Sequence, residues 1–210
     1  MRFILASKSP RRKEILENLG VSFDIITADT NEDSEITDPA LLVRELSIRK
    51  GMAVAEKIIS DNKIVERSIV ISSDTVVASD GEILGKPADR EDAERMLRGL
   101  SGRAHSVFSG IALTELEEGR IVKTVAATEE TKVYFSEMDK DDIEFYINAE
   151  QVYDKAGAYA IQGIASAFIE KIEGDYFNVV GLPVRRMFRL LEEEYGIKLR
   201  FISDIPTSSK

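Results

Sequence analysis

An α/β fold, with a mixed, twisted sheet flanked by helices, is what this sequence predicts, and three observations predict it. Short apolar runs alternate with stretches of helical period. Two dipeptides, Ser9-Pro10 and Asp38-Pro39, stand where helices would open, each a favoured N-cap followed by proline. Residues 104–114 and 121–135 read as two long strands joined at Glu118-Gly119, a hairpin that breaks the alternation and makes the sheet mixed. The 210 residues suffice for one large domain or two small lobes sharing a cleft, and no repeat or linker divides them.

Residues 2–6 read as a short buried strand centred on Ile4 and Leu5. The helix opened by Ser9-Pro10 buries Ile15, Leu16 and Leu19 and ends at Gly20. A strand near Phe23–Ile26 and a polar loop through Glu35 lead to the helix at Asp38-Pro39, with Leu42, Leu46, Ala53 and Ile58 as its apolar face. Ile69–Ile71 and Val76-Val77 flank a polar Ser-Ser-Asp-Thr insert on a central strand. Asp89 caps a helix burying Ala93, Met96, Leu97 and Leu100, and Asp139 starts one bearing Ile143, Tyr146 and Ile147. A glycine-rich stretch, 153–165, precedes a strand near 167–172. Asp175–Asn178 reads as a turn into the last helix, which runs from Leu182-Pro183 to Gly196. A final strand is expected at 198–202, before a frayed tail at Pro206–Lys210.

Composition narrows the function. The net charge of −10 opposes long polyanions, so nucleic acid is not the expected partner, whereas a small polyanion suits any local convergence of basic residues. No apolar run approaches the ~20 residues that span a bilayer, and Phe3–Ala6 is too short for a signal peptide's apolar region, so a cytoplasmic location away from membranes is expected. There is no cysteine and one histidine, which leaves carboxylates and carbonyl oxygens to hold any metal. That donor set favours magnesium, or manganese as the alternative, over zinc.

Two motifs carry chemistry. Ser7-Lys8-Ser9-Pro10-Arg11-Arg12 puts two arginines in the first turn of a helix, where the macrodipole disfavours cations and the free N–H groups welcome an anion. A phosphate would turn that repulsion into attraction; solvated arginines paired with nearby acids are the plainer alternative. Asp74 sits inside a buried strand, where an ionised carboxylate needs a cation or several donors. It reads as a metal ligand, a general base or both, or as a capping residue, and Thr75 would face the other side of a regular strand. Lys86 in Gly85-Lys86-Pro87, Lys50, Glu32, and the run Asp154-Lys155 through Gln162-Gly163 are further candidates, Gln162 because its amide can both donate to and accept from a nucleobase. His105 reads as a hydrogen-bonded structural residue and stays outside the catalytic set.

The motifs Leu5-Ala6-Ser7-Lys8-Ser9-Pro10-Arg11-Arg12, Ser73-Asp74-Thr75-Val76-Val77, Leu84-Gly85-Lys86-Pro87, Leu100 through Val107, Asp154 through Tyr159, Ile161-Gln162-Gly163 and Gly181-Leu182-Pro183, in this order, resemble the Maf family across almost the whole chain. The resemblance implies one Maf-like α/β domain over residues 1–210 with two lobes around a cleft, related to the inosine-triphosphatase-like superfamily. It implies a house-cleaning nucleoside triphosphate pyrophosphatase, in all expectation a homodimer, with catalytic or phosphate-binding roles on Ser7, Arg11, Arg12, Glu32, Lys50, Asp74, Lys86 and Gln162. Asp74 matches the proton acceptor; Arg12, Thr75 and Gln162 match the positions of the branch acting on dTTP and UTP. Glu32 and Asp74 are the expected ligands of one divalent cation. Asn31 and Ser73 depart from the family's usual Asp and Ala or Gly. A nucleotide-binding regulator of cell division without turnover is the rival expectation.

Overall fold

The computed structural model describes residues 1–61 and 66–198. Its first strand, β1 (Arg2–Leu5), buries Phe3, Ile4 and Leu5 and lies between β2 (Phe23–Ile25) and β3 (Ser68–Ser79), parallel to both. The connections are the two expected helices, α1 (Pro10–Asn18) and α2 (Pro39–Ser60). Asp38 caps α2 by accepting from the Leu41 N–H at 2.8 Å. Ser9, by contrast, makes no side-chain cap on α1; its own N–H donates to Ser7 Oγ at 3.1 Å. The buried face of α2 is Val43, Leu46, Ser47, Gly51, Val54, Ala55 and Ile58, a strict three-and-four spacing. Leu42 and Ala53 each fall one residue off that stripe and are only half-buried.

After β3 the chain turns through β4 (Glu82–Leu84), a short strand the sequence reading lacks, into α3 (Arg90–Leu100), which Asp89 caps. The long hairpin of β5 (Ala104–Glu117) and β6 (Arg120–Phe135) follows, antiparallel to β3 and within itself. Then come α4 (Lys140–Ala149), with a capping box between Asp139 and Asp142, two 3-10 helices (Ala156–Ala158 and Gly163–Phe168) and β7 (Ile169–Glu173). The expected turn at Asp175–Asn178 is instead helix α5 (Tyr176–Val180): Asp175 accepts from the Phe177 N–H at 2.8 Å and Gly181 closes the helix at φ 117°. The last helix, α6 (Val184–Tyr195), starts just after Pro183 and ends at Gly196. The strand expected at 198–202 lies, from residue 199 on, outside the described residues, as does the tail.

The seven strands form one mixed sheet in the order β2-β1-β3-β5-β6-β7, with β4 beside the end of β3. On one face α2 packs on Ile4, Val70 and Leu116; on the other, α1 and α6 pack on Phe3, Leu5, Ile69, Ile71, Ile111 and Leu113. A further apolar cluster joins α3, α4 and the 3-10 helices to Val77, Val107, Val133 and Phe135, and Ile169, Ile172 and Val179 pack against both it and the cluster under α1 and α6. The strand β3 changes partner along its length: residues 68–71 pair with β1 and residues 77–79 with β4.

Candidate active site

The change of partners along β3 places the site. β1 stops at Leu5 while β3 runs on, so residues 72–76 have no strand on that side until β4 joins at Val77. The gap opens at the carboxyl ends of parallel strands, where open α/β sheets bind ligands because loops and helix N-termini converge there. A cleft of about 670 Å³ occupies it. Ser7, Arg11, Arg12, Glu32, Lys50, Asp74, Thr75, Lys86 and Gln162 all line it, although they come from the β1–α1 turn, the first turn of α1, the loop before α2, α2 itself, β3, the turn after β4 and the segment between the 3-10 helices. His105 does not. It is buried, its Nε2 lies 2.7 Å from Tyr159 Oη, and its ring meets Phe135 edge-on.

Two kinds of cation face the cleft. The Lys50 ammonium lies between two carboxylates, 2.8 Å from Glu32 Oε1 and in contact with Asp74 Oδ1. That bond from Lys50 lowers the pKa of Glu32; partial burial works against it, and the charges of Lys50, Lys86 and Arg12 add to it. Arg11 approaches Asp154 at 3.7 Å, which is also paired with Lys155 at 2.7 Å. Arg12 is different, because its contacts are neutral: Nε donates to Gly181 O at 2.8 Å, Nη1 to Ser7 Oγ at 3.3 Å and Nη2 to Thr75 Oγ1 at 3.4 Å. Burial lowers its pKa, which Asp74 and Glu32 oppose and Arg11 reinforces. A guanidinium held by neutral acceptors still has N–H groups and charge to give to an anion. Lys86 and Gln162 are exposed at the cleft wall.

Asp74 and Thr75, successive residues of β3, use its two faces: Asp74 turns towards α2, Thr75 towards Ser109, 2.8 Å away on β5. Both border the same cleft because the strand is uncovered there. The reading from sequence passes over Ser109 and the carbonyl of Gly181, which takes both Arg12 Nε and, at 3.0 Å, the Ser73 hydroxyl. A backbone oxygen leaves no mark in sequence, and a serine on a buried strand resembles any small core residue.

A divalent cation fits this donor set on one count: Glu32 and Asp74 already converge on a single positive centre, the Lys50 ammonium. Two carboxylates completed by water and phosphate oxygens are an ordinary magnesium environment. Among the described residues there is no group of three or more His, Cys, Asp or Glu side chains that could hold a metal without a ligand's help.

The His105 ring also gives a pH prediction. Burial pushes its pKa down from 6.5 to about 4. Below pH 6.5 the unfolded chain takes up a proton that the folded chain refuses, so stability falls as pH drops from 6.5 towards 4 and levels off beneath that. The full loss is about 3 kcal/mol. Urea unfolding at pH 7 and pH 5 should show the wild type losing more stability than His105→Gln; equal losses would show that His105 does not titrate in this window.

A family model described as "Maf-like protein" matches residues 2–194. A dTTP/UTP pyrophosphatase of Caldanaerobacter subterraneus subsp. tengcongensis is 50% identical over 94% of this chain and 91% of its own length. One from a Thermoanaerobacter species is 45% identical over 95% of this chain and 100% of its own, and one from Thermosipho africanus 43% identical over 91% and 92%. Among solved structures, a HAM1 protein from Coxiella burnetii overlaps 67% of this chain and 75% of its own at 14% identity and a TM-score of 0.41, too loose a likeness to carry any argument.

Proposed function

This chain belongs to the Maf-like family, and from that membership we propose that its cleft hydrolyses dTTP and UTP to the nucleoside monophosphate and pyrophosphate. The observation that carries the proposal is that Arg11, Arg12, Lys50 and Lys86 line one cleft together with a buried carboxylate, Asp74, in a chain whose net charge is −10. Four cations gathered from three segments beside a carboxylate suit a short polyphosphate. Relatives at 43–50% identity bear the name of that activity, which favours an enzyme over a regulator that binds without turnover.

In this reading Arg11, Arg12 and Lys86, with the Ser7 hydroxyl and the N-terminus of α1, take the triphosphate. Asp74 Oδ accepts a proton from water as the water oxygen attacks the α-phosphorus, and the bond from that phosphorus to the bridging oxygen breaks. The negative charge growing on the departing pyrophosphate meets the fixed cations, the term that dominates such catalysis. Lys50 orients the Asp74 carboxylate and holds Glu32 beside it. Glu32 and Asp74 would hold magnesium, or manganese, which when bound supplies charge neutralisation to the phosphate oxygens. Thr75 and Gln162, with Arg12 at the edge, read the nucleobase and sugar.

Incubation with dTTP, UTP, CTP and GTP in magnesium buffer should release pyrophosphate and the monophosphate, fastest from dTTP and UTP. Orthophosphate as the first product would break the α-phosphorus assignment, and stoichiometric binding without any product would favour the regulator. The homodimer remains part of this proposal and is checked by light scattering. No described helix is long and apolar enough to cross a membrane.

A further inference from the structure

Ser109 lies on β5 directly opposite Thr75 in the antiparallel register and is wholly buried. Its Oγ is 2.9 Å from the carbonyl oxygen of Asn178 and 2.8 Å from Thr75 Oγ1. A carbonyl oxygen can only accept, so the single hydroxyl proton of Ser109 is committed to Asn178 O. The proton between the two hydroxyls therefore belongs to Thr75. Arg12 Nη2, which can only donate, faces the same Thr75 oxygen, and this agrees with the assignment. The bonds run one way: from Arg12 to Thr75, from Thr75 to Ser109, and from Ser109 they end at the Asn178 carbonyl in α5.

That end is fixed in turn. The Asn178 side-chain amide donates to Val107 O at 2.9 Å and to Thr131 Oγ1 at 3.0 Å, which ties α5 to β5 and β6. Thr131 Oγ1 donates to Asp175 O at 3.0 Å at the start of the same helix. The residue that carries the receiving carbonyl is thus held from two strands, and that carbonyl accepts the Gly181 N–H at 3.1 Å as well as the Ser109 hydroxyl, which fills its second lone pair.

We propose that Ser109 is a specificity-determining positioning residue: by accepting the only proton of Thr75 it makes Thr75 Oγ1 an obligate acceptor towards the cleft, so that, set against N3 of the base, it selects a ring that carries an N–H at that atom. Uracil and thymine carry a hydrogen at N3, whereas cytosine carries a bare acceptor there. A threonine whose hydroxyl could rotate freely would serve either edge; this one serves the first. The proposal rests on the pyrimidine nucleotide reading of the cleft given above.

The test is kcat/KM for UTP and for CTP in the wild type, S109A, T75V and the double variant. The wild type should favour UTP, and S109A should lower the UTP to CTP ratio about tenfold, because Thr75 regains the freedom to donate. The double variant should match T75V, since Ser109 acts through Thr75. A role in packing alone would slow both substrates equally and leave the ratio unmoved, and that result overturns the proposal. So does a ratio in the double variant lower than in T75V. If S109A does not fold, S109C, whose thiol is a weak acceptor, should move the ratio in the same direction. A wild type that releases no pyrophosphate from either nucleotide removes the underlying reading together with the proposal, whereas an active wild type with an unmoved S109A ratio removes the proposal alone.

Discussion

Asp74→Asn is expected to slow pyrophosphate release from UTP about a thousandfold, the size of effect that loss of a positioned general base produces. The substitution preserves shape: the asparagine oxygen can still accept from Lys50, and Lys50 keeps Glu32 at 2.8 Å. What disappears is the basic oxygen that takes the proton from water, and with it the charge of one of the two carboxylates proposed to hold the divalent cation. Arg11, Arg12 and Lys86 are untouched, so the loss should fall on kcat much more than on KM. The thermal midpoint should stay near that of the wild type, because Asp74 is buried beside a cation and its amide analogue leaves the contact in place. A wild-type rate in Asp74→Asn would make the proposed mechanism wrong.

Such a site is legible in sequence where its residues sit against local expectation. Two arginines in the first turn of α1 oppose the helix dipole, and a carboxylate stands in the apolar run of β3; each misfit finds its explanation in the shared cleft. Lys50, Lys86 and Glu32 carry no such signal, since a charged residue on a helix or in a turn is ordinary, and the family pattern rather than local chemistry singles them out. The order of elements was readable from caps and apolar period, as at Asp38 and Asp89, whose side chains accept the expected N–H groups. Ser9 stands at the N-cap position before Pro10 as expected, but its side chain makes no cap bond, and its N–H goes to Ser7 Oγ. Helix α5 was missed for a physical reason too: five residues are too few to show a period, and what stabilises them is tertiary, the bonds of Asn178 to β5 and β6. The contacts of Ser109 and of the Gly181 carbonyl span 69 and 169 positions of chain and leave no local pattern at all.

Gly110→Ala is expected to cost about 3 kcal/mol or more of stability, at the upper end for overpacking, because the clash is with backbone. A Cβ on Gly110 would stand 2.0 Å from Val43 O and 2.4 Å from the Val43 carbonyl carbon. Neither atom can rotate away, so α2 must shift bodily off the sheet, and with it the buried face from Val43 to Ile58. The position matters beyond packing. Gly110 is the residue that pairs with Asp74 across β3 and β5, and the helix pressed against it is the one that brings Lys50 to Asp74. The absent side chain thus sets the distance between the candidate base and the ammonium that orients it. Gly110→Ala should therefore lower kcat in whatever fraction remains folded, while Gly99→Ala, inside α3 where an added Cβ meets nothing within 4 Å, should leave the rate unchanged and raise stability by up to about 1 kcal/mol. Urea unfolding compared with turnover at low temperature separates the two effects. A Gly110→Ala protein within about 0.5 kcal/mol of the wild type, the range of ordinary surface changes, would show that α2 can yield at this point. The close approach of helix to sheet would then not be what holds Lys50 beside Asp74.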